Sequence, residues 1–196
     1  MIADAADMER PVMPPRHPTL ARFLREKAIQ FGTFKLASGR TSTYYCDAKQ
    51  VTFCGEGLAL VMSAIVEELR DVRFDAIGGM DMGATPLASA AALWFYQLGR
   101  HVPTFVVRKE VKSHGTMKDV EGVLPPPPAR LVILDDVITT AGSIIKAVDV
   151  VRARGYEVVL AISILDREAG GAEALREKGV KYQPLVTISE LGIGKG

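Results

Sequence analysis

Leu-Val-Ile-Leu-Asp-Asp-Val-Ile-Thr-Thr-Ala-Gly-Ser occupies residues 131–143, and the rest of the chain is arranged around it. Four consecutive apolar residues, Leu131, Val132, Ile133 and Leu134, leave no polar face. That pattern predicts a short strand buried on both sides, as in a parallel sheet covered by helices. Asp135 and Asp136 follow at its C-terminal end, where open α/β sheets hold their ligands. Hydroxyls and small side chains occupy 139–143, just before a helical period of Ile144, Ala147, Val148 and Val151. Small residues let backbone N–H groups turn inward, and the dipole of the helix that begins there favours an anion such as phosphate. The acidic pair suits ribose hydroxyls, or a magnesium ion shared with the ligand. Strand, acidic pair, loop and helix together describe a site for a ribose 5-phosphate. A buried strand ending in an Asp turn is the plainer alternative, and the ordered Thr-Thr-Ala-Gly-Ser tail argues against it.

The chain has 196 residues, 48% of them hydrophobic and 24% charged, with a formal net charge of +1. These are the proportions of an ordinary globular chain of one domain, with room for a small appended subdomain. A near-neutral charge gives no argument for nucleic acid or an anionic membrane, so neither is expected as a partner and any anion site must be local. The apolar run around 87–98 is too short to span a bilayer and contains Ser89 and Gln97. The first ten residues lack a basic segment leading into an apolar run, so no secretory signal is expected. Cys46 and Cys54 have no metal-ligand spacing and read as core or edge thiols in a reducing cytoplasm.

From the N-terminus, four prolines mark 1–18 as a disordered tail ahead of a domain over 19–196. Thr19 is the expected N-cap of a helix running to Gln30 with an apolar face of Leu20, Phe23, Leu24 and Ile29; Gly32 ends it. A hairpin-like hood follows, closing the 19–54 unit, and an α/β core fills 55–196. Helices are predicted over 55–70, 86–98, 144–154 and 172–178. Strands are predicted near 76–79, 102–107, 131–134, 158–165 and 182–187, with 78–86 as a glycine-rich turn and 108–122 as a polar loop. This alternation predicts a doubly wound, mostly parallel α/β sheet with a small N-terminal hood.

Residues 131–143 resemble the phosphoribosyl pyrophosphate (PRPP) motif of the type I phosphoribosyltransferases. That resemblance assigns PRPP binding to Asp135, Asp136, Val137, Ile138, Thr139, Thr140, Ala141, Gly142 and Ser143. Ala141 departs from the family's usual glycine, which implies a turn that avoids the backbone angles reserved for glycine. A second stretch, Arg-Lys-Glu-Val-Lys-Ser-His-Gly at 108–115, places three permanent cations and a histidine within seven positions. It is similar to the mobile loop of the orotate phosphoribosyltransferases. By resemblance Arg108, Lys109, Lys112 and His114 neutralise the departing pyrophosphate, and loop 108–122 acts across the interface of a homodimer. Lys109, Lys112, His114, Asp135 and Asp136 then carry the catalysis.

Residues 34–47 look like the family's hood, with Ser38-Gly39 and the aromatic pair Tyr44-Tyr45 beside the pyrimidine; for any single residue there, a plain edge hairpin reads as well. Ala37 stands where many members have lysine, and Met82 where some do. Arg167, in an Asp-Arg pair at a strand end, corresponds to the arginine that holds the orotate carboxylate, so Thr139, Arg167 and Tyr45 are the expected orotate contacts. The resemblance implies transfer of ribose 5-phosphate from PRPP to orotate in pyrimidine biosynthesis. Mg²⁺ is expected mainly through PRPP, with Asp135 or Asp136 reaching it through water and no protein metal site. Two alternatives stay open: action on another nucleobase, or PRPP binding by a regulator without catalysis.

Overall fold

The computed structural model describes residues 14–35, 41–109 and 119–194. Helix α1 (Pro18–Lys27) leads into a two-stranded antiparallel hairpin, β1 (Ile29–Lys35) with β2 (Thr41–Cys46). The short α2 (Lys49–Thr52) and the longer α3 (Gly55–Glu68) follow. The main unit runs β3 (Ala76–Met80), α4 (Thr85–Gln97), β4 (Thr104–Val107), β5 (Val120–Gly122), β6 (Arg130–Ile138), α5 (Gly142–Arg152), β7 (Glu157–Asp166), α6 (Gly171–Glu177) and β8 (Tyr182–Thr187).

Among the described residues the main sheet has the order β5-β4-β3-β6-β7-β8. Every neighbouring pair is parallel except β4 with β5, which is antiparallel. Strand β6 shows why the sheet must be covered twice. Val132 and Leu134 enter one core with α1, α3 and α4, while Leu131 and Ile133 enter the other with α5 and α6. All four are fully buried, as a strand without a polar face requires. The order in which strands are added reverses at the parallel β3/β6 pair: β3 leads through α4 to β4 on one side, whereas β6 leads through α5 to β7 on the other. A crevice therefore opens beyond the C-terminal ends of β3 and β6, the usual ligand position in doubly wound sheets.

Several sequence expectations shift. Helix α1 begins at Pro18 in the first helical position and ends at Lys27, so Thr19 is not its N-cap, and Gln30 and Gly32 belong to β1. Residues 1–13 of the expected tail lie outside the described residues; within 14–18, Arg16 Nη1 donates to both Glu68 carboxylate oxygens at 3.0 Å and the buried His17 ring lies 3.1 Å from the same carboxylate. Residues 120–122 are a strand rather than loop, because backbone pairing with β4 outweighs their weak local propensity. Gly78 and Gly79 lie inside β3 rather than in a turn. A Cβ on Gly78 would meet the Phe105 carbonyl oxygen at 2.0 Å, and one on Gly79 the Leu134 carbonyl oxygen at 2.0 Å. These glycines let β3 sit tight against both neighbours.

Candidate active site

The acidic pair lies within β6 rather than after it. Strand β3 pairs with β6 only as far as Gly79 opposite Leu134, so Asp135 and Asp136 extend past the end of their neighbour. Asp136 N–H donates to Asp135 Oδ1 at 3.0 Å, and Val137 N–H donates to Asp136 Oδ1 at 2.8 Å. Asp135 is 5% exposed. Burial, and then the neighbouring Asp136 charge, push its carboxyl up to about 7. On the other wall of the crevice the chain leaves β3 through Asp81, Met82 and Gly83. A Cβ on Gly83 would stand 2.6 Å from Oδ1 of both Asp135 and Asp136. The turn and the acidic pair thus touch, and only glycine fits between them.

After β6 the backbone turns sharply at Ala141, which adopts the left-handed conformation with φ 59° and ψ 17°. This corrects the expectation that alanine here keeps the turn out of glycine's territory. Alanine enters that region at a cost of about 1–2 kcal/mol, and its methyl is buried in the α5 core. The turn caps α5. The first bond of the helix is Ile145 N–H to the Ala141 carbonyl at 2.9 Å. The N–H groups of Gly142, Ser143 and Ile144 precede it, so they have no intrahelical partner and suit a phosphate.

These walls enclose a cavity of ≈ 360 Å³. Of the residues expected to bind PRPP, it brings together Lys109, Asp135, Asp136, Val137, Gly142 and Ser143. Ile138 and Ala141 are buried in the hydrophobic core, which leaves them their backbone groups alone. Thr139 and Thr140 sit on the turn between β6 and α5, outside the cavity lining. Arg108 is tied to Glu121 across β4 and β5, with Nε at 3.0 Å and a terminal nitrogen at 2.9 Å, and does not line the cavity. Lys109 lines the cavity of its own chain. Lys112, His114, Ala37 and the Ser38-Gly39 turn lie outside the described residues.

The remaining expectations concern the ring pocket. Arg167 N–H donates to the Ile138 carbonyl at 3.0 Å, which sets Arg167 beside the start of the 139–143 turn. Its guanidinium carbon lies 4.8 Å from the centre of the Tyr44 ring, and its Nε donates to the Tyr44 hydroxyl at 3.2 Å. Among the described residues its two terminal nitrogens have no hydrogen-bond partner, leaving a fork for a planar carboxylate. Tyr44, not Tyr45, makes this contact. Successive strand residues face opposite ways, and Tyr45 lies against Phe34 with ring centres 5.7 Å apart. Cys46, at the end of β2, is a half-buried thiol that burial pushes up to about 12.

Asp81 and Gly83, from the glycine-rich turn at 78–86, also line the cavity, as do Lys49 and Lys146, which were not singled out from sequence. For Lys146 a signal existed: it lies three and four positions after Ser143 and Gly142, on the helix face that the phosphate turn presents. Lys49 carried none.

Magnesium, which the acidic pair invites, finds a partial set of ligands. Each carboxylate has one oxygen already accepting a backbone N–H, and no group of three or more His, Cys, Asp or Glu suited to a metal occurs among the described residues. The residues fit an ion that arrives with most of its shell supplied by phosphate oxygens and water.

Fold and site together place an acidic pair and a helix N-terminus, groups suited to a phosphorylated ribose, at the switch point of a doubly wound sheet. Residues 48–183 match the phosphoribosyl transferase domain. The chain is 39% identical over 175 residues to orotate phosphoribosyltransferase of Aquifex aeolicus, covering 88% of this chain and 95% of that one. It is 44% identical over 173 residues to that of Sorangium cellulosum, covering 86% and 88%. Mycobacterium tuberculosis orotate phosphoribosyltransferase, solved in complex with PRPP, superposes with a TM-score of 0.75 at 30% identity, covering 91% of this chain and 100% of that one. The chain belongs to the phosphoribosyltransferase family and, within it, to the orotate phosphoribosyltransferases.

Proposed function

We propose that this chain transfers ribose 5-phosphate from PRPP to orotate, giving orotidine 5′-phosphate and pyrophosphate, in the cavity between β3 and β6. The observation that carries the reading is the meeting, at one switch point, of an acidic pair, a helix N-terminus without a side-chain cap and Lys109 of the basic loop. The 5-phosphate takes the N–H groups at 142–144, and the ribose hydroxyls take Asp135 and Asp136. The diphosphate lies over the turn at 81–83, facing Lys109. Orotate places its carboxylate on the free fork of Arg167, beside Thr139, with Tyr44 holding the guanidinium in place.

The ring nitrogen of orotate gives up its proton to solvent and attacks the anomeric carbon as that carbon's bond to the diphosphate oxygen breaks, and pyrophosphate leaves with the bonding pair. Positive charge builds on the ribose ring and negative charge on the leaving group. Fixed charges therefore do most of the work: carboxylates beside the ribose, cations at the leaving group. Mg²⁺, carried by the diphosphate, adds charge neutralisation there.

Lys112 and His114 belong to the same loop and act with Lys109 on pyrophosphate. The loop leaves β4 beside the edge strand β5, a position at the rim that suits a reach into a second copy, so the working unit is a homodimer in which the loop's Lys112 and His114 cross the interface. The two unpaired thiols, Cys46 and Cys54, support a reducing, cytoplasmic setting.

Steady-state kinetics of Arg167→Ala test the pocket assignment. Loss of a charge-assisted contact worth about 1.5–3 kcal/mol raises the orotate KM roughly tenfold to a hundredfold, with little change in the PRPP KM. Equal weakening of both substrates contradicts the assignment of Arg167 to the base.

A further inference from the structure

A diphosphate carries more negative charge than Lys109 alone can balance, and the cavity wall already holds Asp81, Asp135 and Asp136. Two further lysines face the same space from fixed elements. Lys49 projects from α2, and among the described residues its one ion pair is with Asp47, at 3.8 Å, on a partly exposed surface. Such a pair binds its lysine weakly and leaves it free to turn toward a stronger anion. Lys146 sits in the second turn of α5, where a cation opposes the positive end of the helix dipole. Its position makes sense beside a bound anion, and its ammonium also donates to the Lys109 carbonyl at the root of the basic loop. Met82 lines the same cavity, 58% exposed and chemically unable to balance charge.

We infer that Lys49 and Lys146 form a fixed cationic half of the diphosphate site, supplying from α2 and α5 the charge that position 82 does not. The inference rests on the proposed PRPP reading and assigns residues that reading does not use. The two lysines act on the diphosphate whether or not the basic loop is in place, and Lys146 also holds the loop's first residues at the cavity wall.

The test is titration calorimetry of the full-length protein with inorganic pyrophosphate in the presence of Mg²⁺, together with KM values for PRPP and orotate. Lys49→Gln and Lys146→Gln each weaken pyrophosphate roughly tenfold, the consequence of losing one partly solvated charge-assisted contact. The PRPP KM rises in parallel and the orotate KM stays within about twofold. Lys178→Gln, outside the cavity lining and paired with Asp149, changes none of these. Adding Met82→Lys to Lys49→Gln recovers pyrophosphate affinity, because the new ammonium enters the same cavity; a merely structural role for Lys49 would not be rescued this way. Unchanged pyrophosphate affinity in both single variants, or no recovery with Met82→Lys, overturns the inference and leaves the PRPP reading intact. A wild-type protein that binds neither PRPP nor pyrophosphate overturns the reading beneath it.

Discussion

Asp135 shows what the site costs the fold. A carboxylate 5% exposed beside a second carboxylate is held there for the ligand and not for stability. Its folded-state pKa is raised from 3.8 to about 7. The folded protein therefore keeps a proton that the unfolded chain releases, and the stability tied to this group is full below pH 4 or so and lost as pH rises through about 7. Asp135→Asn removes the charge at nearly constant volume, and its amide can still accept from Asp136 N–H. Urea unfolding at pH 8 should find the variant more stable than wild type by about 2 kcal/mol, with the difference shrinking as pH falls and vanishing below about pH 4, while PRPP-dependent turnover is lost. A stability difference independent of pH between 5 and 8 contradicts this account of Asp135. At the same scale Ala141 holds a left-handed turn without glycine, and no single residue in the sequence announced it. The αL angle follows from the packing of α5 on β6, which buries the methyl.

At the scale of elements, the glycines of β3 and of the turn after it do different jobs, and alanine substitution separates them. On Gly79 a Cβ meets the Leu134 backbone oxygen at 2.0 Å, and neither strand can yield inside the sheet. Gly79→Ala should lose more than about 3 kcal/mol of stability or fail to fold, the upper end of overpacking costs. On Gly83 the obstacles are the two carboxylate side chains, which can rotate. Gly83→Ala should unfold within about 1 kcal/mol of wild type but lose most PRPP-dependent activity, because the acidic pair must turn aside. Thermal unfolding and turnover of both variants check the contrast; similar stability losses in the two would count against it. The sequence was most legible where an element's own residues decide it. Four apolar residues in a row made β6 a strand buried on both faces, and the periods of α3 and α5 were plain. It was least legible where a partner decides. Val120-Glu121-Gly122 becomes strand through β4, and Gln30 and Gly32 leave the helix for β1 because β2 pairs with them. Whether Tyr44 or Tyr45 faces Arg167 depends on which face of the hairpin packs inward. Of the site, the acidic pair, the phosphate turn and Arg167 were readable as contiguous motifs. Lys49 and Lys146 reach the cavity from separate helices, where each reads as an ordinary surface lysine.

The whole molecule raises the question of which chain each part serves. Lys109 lines the cavity of its own subunit and is held there by Lys146, whereas the proposed dimer sends the rest of the basic loop into its partner. Subunit mixing resolves this. A Lys112→Ala subunit keeps a sound pocket, and an Asp135→Asn/Asp136→Asn subunit keeps a sound loop. Each homodimer should be nearly inactive, and heterodimers should recover up to about half the wild-type activity per dimer, since a closed two-fold symmetric pair has each role twice. No recovery, with exchange confirmed by native mass spectrometry, means the loop serves its own chain. Beneath all of these lies the claim that the cavity between β3 and β6 joins ribose 5-phosphate to orotate. It is tested most directly by incubating the purified chain with PRPP and Mg²⁺ and following orotidine 5′-phosphate and pyrophosphate, with uracil, adenine and hypoxanthine as competing bases. The account predicts stoichiometric formation of both products with orotate and at least about a hundredfold lower turnover with each other base, since none offers Arg167 a carboxylate. Comparable turnover of a base without a carboxylate, or PRPP binding with no product from orotate, would contradict it.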